Sequence, residues 1–283
     1  MNTFGETFRL LRKNRGISLK KAAEGIISYS TLAAFERNEH IINLQSLVEI
    51  LFKMNITLQE FLSNINIGEP QYHSWLVNIN NFSLSRDLDS LNKELIRVKN
   101  NKEIFFELNY IMLKSIISQE FKSNTLSTDE INYVSEFLWK TEIIGHYELT
   151  VFGNTLYHLP TRSILIFSEE ILEKINLLNR KNINSRDYLR TISNVVAELI
   201  NRELYSDALM LTNKTKSEIL DSYFFEKFIF QFYVDVIIYR LKFEDSIKQD
   251  VRRRINFLSE INAVAYHAYF KKKFEYFFNE TFN

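Results

Sequence analysis

Two groups of residues near the start of the chain have the types and spacing to bind anionic groups or to cap helices. Arg9, Arg12, Lys13 and Arg15 lie within seven consecutive positions, and their guanidinium and ammonium groups can neutralise phosphate oxygens. Ser28, Tyr29, Ser30 and Thr31 form a second group, with Arg37 closing the same segment. Hydroxyls at a helix start either cap the helix or reach phosphates and base edges. The cations also fit a plainer role as a solvated helix face.

Chemistry of other kinds is not legible. No P-loop, GxGxxG, HExxH or nucleophile-elbow pattern occurs. The five histidines (His40, His73, His146, His158 and His267) are scattered without metal-ligand spacing. With no cysteine, disulfides, thiolate metal sites and thiol catalysis are excluded. The expectation is a non-enzyme with no cofactor and no metal. No apolar run approaches the roughly 18 residues that a membrane span needs, and no basic-then-apolar leader opens the chain. A cytoplasmic protein without membrane contact is expected.

The elements that must position the first two groups are short helices. Phe4, Phe8 and Leu11 recur at helical spacing with Leu10 beside them, and Gly16 ends that helix. Ser18 can cap a second helix with Leu19, Ala22 and Ala23 as its apolar positions. Ser28 or Ser30 can cap a third, with Leu32, Ala33 and Phe35 on its buried side. Asn38 stands where a left-handed residue would end it. A fourth helix over about 43–54 is capped by Asn43 and buries Leu44, Leu47, Val48, Leu51 and Phe52. A fifth starts at Thr57 and buries Leu58, Phe61 and Leu62. This is the layout of a helix-turn-helix domain, in which one helix end is presented to the major groove. The charge agrees. Residues 1–37 carry seven cations and three carboxylates, whereas the whole chain is neutral, so a basic head precedes an acidic body.

The composition (46% hydrophobic, 25% charged) is that of a folded rather than a disordered chain. Six glycines and two prolines in 283 residues are too few for the turns of a sheet protein, which leaves long helices and tight polar loops. The stretch Asn64–Pro70 combines glycine with proline and marks a boundary. Residues 1–66 are read as the head, 67–71 as a linker and 72–283 as the body. Helical periodicity then continues in segments at about 72–80, 84–99, 102–121, 128–140, 143–157, 161–179, 186–201, 204–217, 219–241, 245–259 and 262–279. Caps stand at Ser83 or Ser85, at Ser127-Thr128-Asp129-Glu130 as a capping box, and at Ser185. Paired helices joined by short turns predict an all-α protein whose body is an α-solenoid of the tetratricopeptide kind.

The head residues Phe8, Leu11, Arg12, Leu19, Ala22, Ser28, Ser30, Leu32, Phe35-Glu36-Arg37, Leu47, Leu51, Asn55-Ile56 and Glu60-Phe61 resemble the XRE-type helix-turn-helix of the Rgg/MutR/GadR regulators. The resemblance continues through Trp139-Lys140, Gly145-His146-Tyr147-Glu148-Leu149 and Phe152-Gly153-Asn154-Thr155-Leu156-Tyr157. It extends further to Arg190, Ile192, Asn194-Val195, Leu199-Ile200 and Tyr205-Ser206-Asp207-Ala208. It implies a homodimeric regulator that binds double-stranded promoter DNA and senses a short apolar signalling peptide on the concave face of its repeat domain, as in quorum sensing. It also implies that Glu36 and Arg37 are mainly structural. Where the family places polar groups, this chain has Thr31, Ala33 and Ala34. Alanines touch thymine methyls but make no bidentate base contact, so groove contact falls to Tyr29, Ser30 and Thr31. Asn154 and Asn194 are the candidates for holding peptide backbone, since an amide offers both a donor and an acceptor. Arg190 is the candidate for a peptide carboxylate. Tyr157, Phe230, Tyr233 and Ile237 are candidates for lining apolar pockets.

Other readings of the same residues stand beside these. The aromatic helix around Tyr223–Tyr233 equally reads as core or dimer surface. Arg252-Arg253-Arg254 and Lys271-Lys272-Lys273 read as solvated charge beside apolar faces, or as a second nucleic-acid contact. The two alanines also suit a degenerate head in a peptide-binding adaptor, and the body could serve a small-molecule ligand.

Overall fold

A computed structural model of the chain describes residues 3–65, 71–100, 105–122 and 125–282. Every regular element among them is helical. The chain divides into two compact units, Met1–Asn78 and Ile79–Asn283. The expected linker lies outside the described residues as far as position 70, and Gln71 begins a helix.

The first unit opens with α1 (Phe4–Asn14), α2 (Leu19–Ala23), α3 (Tyr29–Glu36), α4 (Leu44–Lys53) and α5 (Leu58–Ser63). Each has a side-chain cap that accepts a backbone N–H: Thr3, Ser18, Ser28, Asn43 and Thr57 in turn. Caps matter here because helices this short do not hold themselves. Gly16 takes the left-handed conformation that ends α1 (φ +64°), and Asn38 does so after α3 (φ 59°). The core gathers Phe8, Leu11, Leu32, Phe35, Ile50, Leu51, Met54 and Phe61. On α4 the buried stripe is Leu47, Ile50, Leu51 and the following Met54, whereas Leu44 and Phe52 are exposed and Val48 is half-buried. Phe52 lies about 140° around the helix from Leu47 at 100° per residue, too far to share that stripe. Leu62 is likewise exposed and Leu58 half-buried, leaving Phe61 as the buried residue of α5.

Packing of α1 on α3 requires a glycine. A Cβ on Gly5 would stand 2.0 Å from the Phe35 carbonyl oxygen and 2.7 Å from the Asn38 side-chain oxygen. The Gly5 N–H instead donates to that Asn38 oxygen at 3.1 Å. Beneath this approach the rings of Phe8 and Phe35 meet edge-on at 5.6 Å.

Helix α6 (Gln71–Leu84) contains the division between the units. The body continues with α7 (Leu88–Lys99), α8 (Phe106–Phe121), α9 (Thr128–Trp139), α10 (His146–Thr155) and a 3-10 turn at Leu156–His158. Then follow α11 (Thr161–Arg180), α12 (Arg186–Asn201), α13 (Tyr205–Glu218), α14 (Phe224–Lys242), α15 (Asp245–Glu260) and α16 (Val264–Phe278). The order of contact is that of an α-solenoid: α8, α10, α12 and α14 pack successively in one layer, and α9, α11 and α13 in the other. Several starts differ from the periodicity. The second body helix begins at Leu88, not near 84, because Asp87 accepts from the Ser90 N–H (3.0 Å) while Arg86 turns left-handed before it. Ser83 and Ser85 do not cap it. The Ser127 capping box is present, and its Glu130 also binds Lys114 at 2.8 Å. Ser185 gives its hydroxyl to Asn179 (2.7 Å) instead of capping α12.

Scarce glycine has a consequence at the helix ends. Of ten described non-glycine residues at positive φ, five are asparagine: Asn38, Asn55, Asn182, Asn262 and Asn279. Asparagine tolerates that region better than other L residues, so it replaces glycine as the terminator.

Gly5→Ala is expected to destabilise the head by about 1–3 kcal/mol, the usual cost of overpacking. Hydrogen–deuterium exchange of the full chain reads it out: amides around Leu32 and Phe35 should exchange faster while those around Val195 do not change. Equal exchange in both regions would show that α1 can shift without cost.

Candidate functional site

In the head, α3 presents its first turn to solvent. Ser28, Tyr29 and Ser30 are exposed and Thr31 is half-buried. The Ser28 hydroxyl accepts from the Thr31 N–H (3.0 Å) and lies 2.9 and 2.7 Å from the hydroxyls of Ser30 and Thr31. These three side chains form a local hydrogen-bonded group that fixes the helix start, with the Tyr29 phenol projecting beside it. Arg9 and Lys13 are exposed on α1. Arg15 is partly engaged, reaching Glu60 at 3.1 Å across half-exposed surface, where an ion pair contributes little. Arg37 pairs with Glu39 at 2.6 Å, also in the open.

Arg12 is different, and its expected role as a phosphate contact is corrected. It is 8% exposed. Its Nε and Nη2 donate to the two carboxylate oxygens of Glu36 at 2.5 and 2.8 Å, and Nη1 donates to the Ile17 carbonyl at 2.6 Å. One guanidinium therefore ties α1, the turn after it and the end of α3 together. The pair holds the Arg12 pKa above its ordinary value through the bond to Glu36. Such a fork-to-fork bond is geometric as well as energetic, and it uses up the donors that would meet DNA.

In the body, a cleft of about 970 Å³ opens between the end of α8, the 3-10 turn, α12 and α16. Its size is that of a ligand site rather than of packing defects. Tyr157 lines it and is 54% exposed. On α12 the cleft is met by Ala197, Glu198 and Asn201. Asn194 is exposed on that helix seven residues before Asn201, and seven residues is nearly two whole turns, so the two amides share one stripe. Arg190 stands a further turn back, exposed and 3.8 Å from both Asp187 and the buried Glu226. The opposite wall is α16, through Tyr269, Lys273, Tyr276 and Phe277. Tyr276 donates to the Asn201 side-chain oxygen at 3.2 Å across the cleft. Arg202 anchors the near wall. It binds Glu198 (2.7 Å) and donates to the carbonyls of Leu156, Tyr157 and Leu159 at 3.3, 3.0 and 2.9 Å.

Four expected pocket residues sit elsewhere. Phe230, Tyr233 and Ile237 are completely buried in the body core and do not line an open pocket. The cause is that α14 is enclosed by α12, α13, α15 and α16, so its aromatic faces meet protein all round. Asn154 is half-buried, and its amide donates to the Thr150 carbonyl at 2.8 Å and lies 3.6 Å from the Met112 sulfur. Its donor is thereby used inside the protein. The sequence reading missed Asn201, Tyr269, Lys273 and Tyr276. A signal for Lys273 existed: it interrupts the buried series Phe270, Phe274, Phe277 on one face of its helix. A run of three lysines hid it.

A helix-turn-helix head followed by a two-layered array of helices is the architecture of a helix-turn-helix transcription regulator. The model of the C-terminal domain of the HTH-type transcriptional regulator Rgg matches residues 89–272, and a helix-turn-helix model matches residues 8–61. The chain belongs to the Rgg family. Solved structures with the same fold include the SHP pheromone receptor Rgg2 of Streptococcus dysgalactiae, at 20% identity over 96% of this chain and 99% of that one (TM-score 0.77). A putative transcriptional regulator from Listeria monocytogenes EGD-e is 19% identical over 98% and 97% of the two chains (TM-score 0.81). PrgX in its complex with iCF10 is 14% identical over 98% and 96% (TM-score 0.71). No described helix is long and apolar enough to cross a membrane.

Breaking the buried pair with Arg12→Met should cost the head about 3–5 kcal/mol, because Glu36 is left charged and unpaired. The double variant Arg12→Met/Glu36→Leu should recover most of that loss, and Arg9→Met should cost nothing measurable. Thermal melts followed by circular dichroism, with exchange at α3 amides, separate the three. If Arg12→Met melts like the parent, the pair is not structural.

Proposed function

We propose that this Rgg-family regulator works in the cytoplasm as a homodimer, with residues 1–66 reading a two-fold-related promoter site and residues 72–283 sensing a short apolar peptide. Dimerisation follows from the size of the head, because a single unit of this kind buries too little for tight operator binding and paired half-sites supply the rest.

At the DNA, the exposed start of α3 enters the major groove. Ser30 and Thr31 offer hydroxyls, Tyr29 adds contact area, and Ser28 holds the helix start in shape. Arg9, Lys13 and Arg15 neutralise phosphates from α1, with Arg37 at the far end of α3. Ala33 and Ala34, half-buried on that helix, add no base-edge hydrogen bonds, so much of the sequence preference rests on DNA shape.

The observation that carries the sensing half is the cleft with its amide stripe. Asn194 and Asn201 can each satisfy one peptide unit, and burying such a unit without a partner is costly. From Arg190 to Asn201 the stripe runs roughly 16 Å at 1.5 Å per residue, enough for about five extended residues. Tyr157 and Tyr269 flank the apolar side chains. Regulation requires that the peptide bind two states of the body unequally.

Fluorescence anisotropy with DNA from the protein's own upstream region tests the first half. Affinity should fall linearly on a log–log plot against salt. Lys13→Gln should weaken binding to all sequences and lower the slope by about 1. A flat salt response with no preference over scrambled DNA would leave only an adaptor role for the head. For the second half, calorimetry should give heat with short apolar peptides and lose it in Asn194→Leu/Asn201→Leu. Heat from metabolite pools alone would assign the cleft to a small molecule.

A further inference from the structure

Lys273 projects from α16 into the cleft with no carboxylate of its own. It occupies a helix face otherwise given to Phe270, Phe274 and Phe277, all of them core residues. Its Nζ donates to the hydroxyl of the fully buried Tyr233 at 2.9 Å. The rings of Tyr233, Tyr269 and Phe277 stand 5.3, 5.2 and 5.8 Å from it. Such a cage favours an ammonium by cation–π attraction but does not compensate its charge. Among the described residues no carboxylate pairs with it. The nearby Glu198 is already bound by Arg202 at 2.7 Å. Burial without an anion pushes the Lys273 pKa down to about 8, the direction expected when water is removed from a cation.

We propose that Lys273 is the anion receptor of the cleft, taking a carboxylate of the bound ligand while the surrounding rings pack the apolar groups beside that carboxylate. The proposal rests on the reading of the cleft as a peptide site and adds what that peptide must carry. An ammonium has three N–H groups. One is used by Tyr233, which leaves two to meet the oxygens of a carboxylate in a charge-assisted contact. The terminal carboxylate of a peptide and an aspartate or glutamate side chain share this chemistry.

A dependence on pH follows, with a definite sign. The ammonium is present below about pH 8 and is lost as the pH rises, so carboxylate affinity falls on the alkaline side. The cage phenols do not titrate in that window, since burial raises Tyr269 to about 12 and Tyr233 well above its ordinary value. The other charged or titratable groups facing the cleft are Glu120 and Lys122 at the end of α8, Tyr157 after α10, Glu198 on α12, and Lys272 and Tyr276 on α16. Only Lys273 stands inside the three-ring cage.

Three pools of acetylated pentapeptides built from Leu, Ile, Val and Phe test this with the full chain. One pool has free carboxyl ends, one is amidated, and one is amidated with a single internal Asp. Peptides retained through gel filtration are quantified by mass spectrometry. Retention of the free-acid pool at least about tenfold above the amidated pool near pH 7, a difference of about 1.4 kcal/mol, is expected. That preference should vanish near pH 9.5 and in Lys273→Met, and persist in Lys273→Arg. The same preference shown by the Asp pool instead assigns the anion to a side chain. Equal retention of all pools by the parent protein leaves a peptide cleft and overturns the receptor, whatever the variants do. No retention of any pool removes the peptide reading and this proposal together.

Discussion

Burial of the middle turns of α14 is the constraint on which the body depends. Phe230, Phe232, Tyr233, Val236 and Ile237 lie on more than one side of its middle turns and are all buried, so those turns must be covered on several sides. Each such side chain contributes about 1.5–3 kcal/mol when covered. Enclosure on one side is supplied by α12 and α13, and on the other by α15 and α16. Phe270 and Phe277 of α16 pack directly on Phe232. That packing decides where α16 lies, and so which side chains stand opposite the amide stripe of α12. The cleft is a by-product of covering α14.

The same packing explains how a cation comes to rest among aromatic rings. Helix α16 seals the core with Phe270, Phe274 and Phe277, and the position between them on that face is filled by Lys273. The side chain reaches past the seal to Tyr233. A leucine there would fill the face but leave the buried Tyr233 hydroxyl without the N–H that it accepts from Lys273. Arg202 plays the complementary part across the gap. By gathering three carbonyls at the end of the 3-10 turn, it fixes the wall that carries Tyr157.

In the head the corresponding constraint is Arg12 with Glu36. A unit with short helices and a core this small has little apolar area to spend, and a bidentate buried pair sets the crossing of α1 and α3 that the Phe8–Phe35 contact alone leaves free. The pair is also what separates the four cations of the first helix and its C-cap into two kinds. Arg12 is consumed by the fold, whereas Arg9 and Lys13 stay available to phosphate and Arg15 is held only by an exposed partner.

The sequence by itself determined the helices, their number and most of their caps, because periodicity, serine and asparagine caps and missing glycine all act locally. It also determined the class, since the head and body motifs are contiguous stretches. Only the tertiary structure decided which polar groups face the cleft. Asn201 lines it, with Asn194 two turns earlier on the same stripe of α12, and Asn154 has its donor engaged by Thr150; Phe230, Phe232 and Tyr233 turn inward, and a lysine hidden in a basic run stands in a cage. Which face of a helix is open depends on what lies against it. That is set by neighbours some forty to seventy-five residues away, as in Lys273 with Tyr233 and Tyr276 with Asn201; the local pattern places Lys273 on an apolar face but does not say what lies against it.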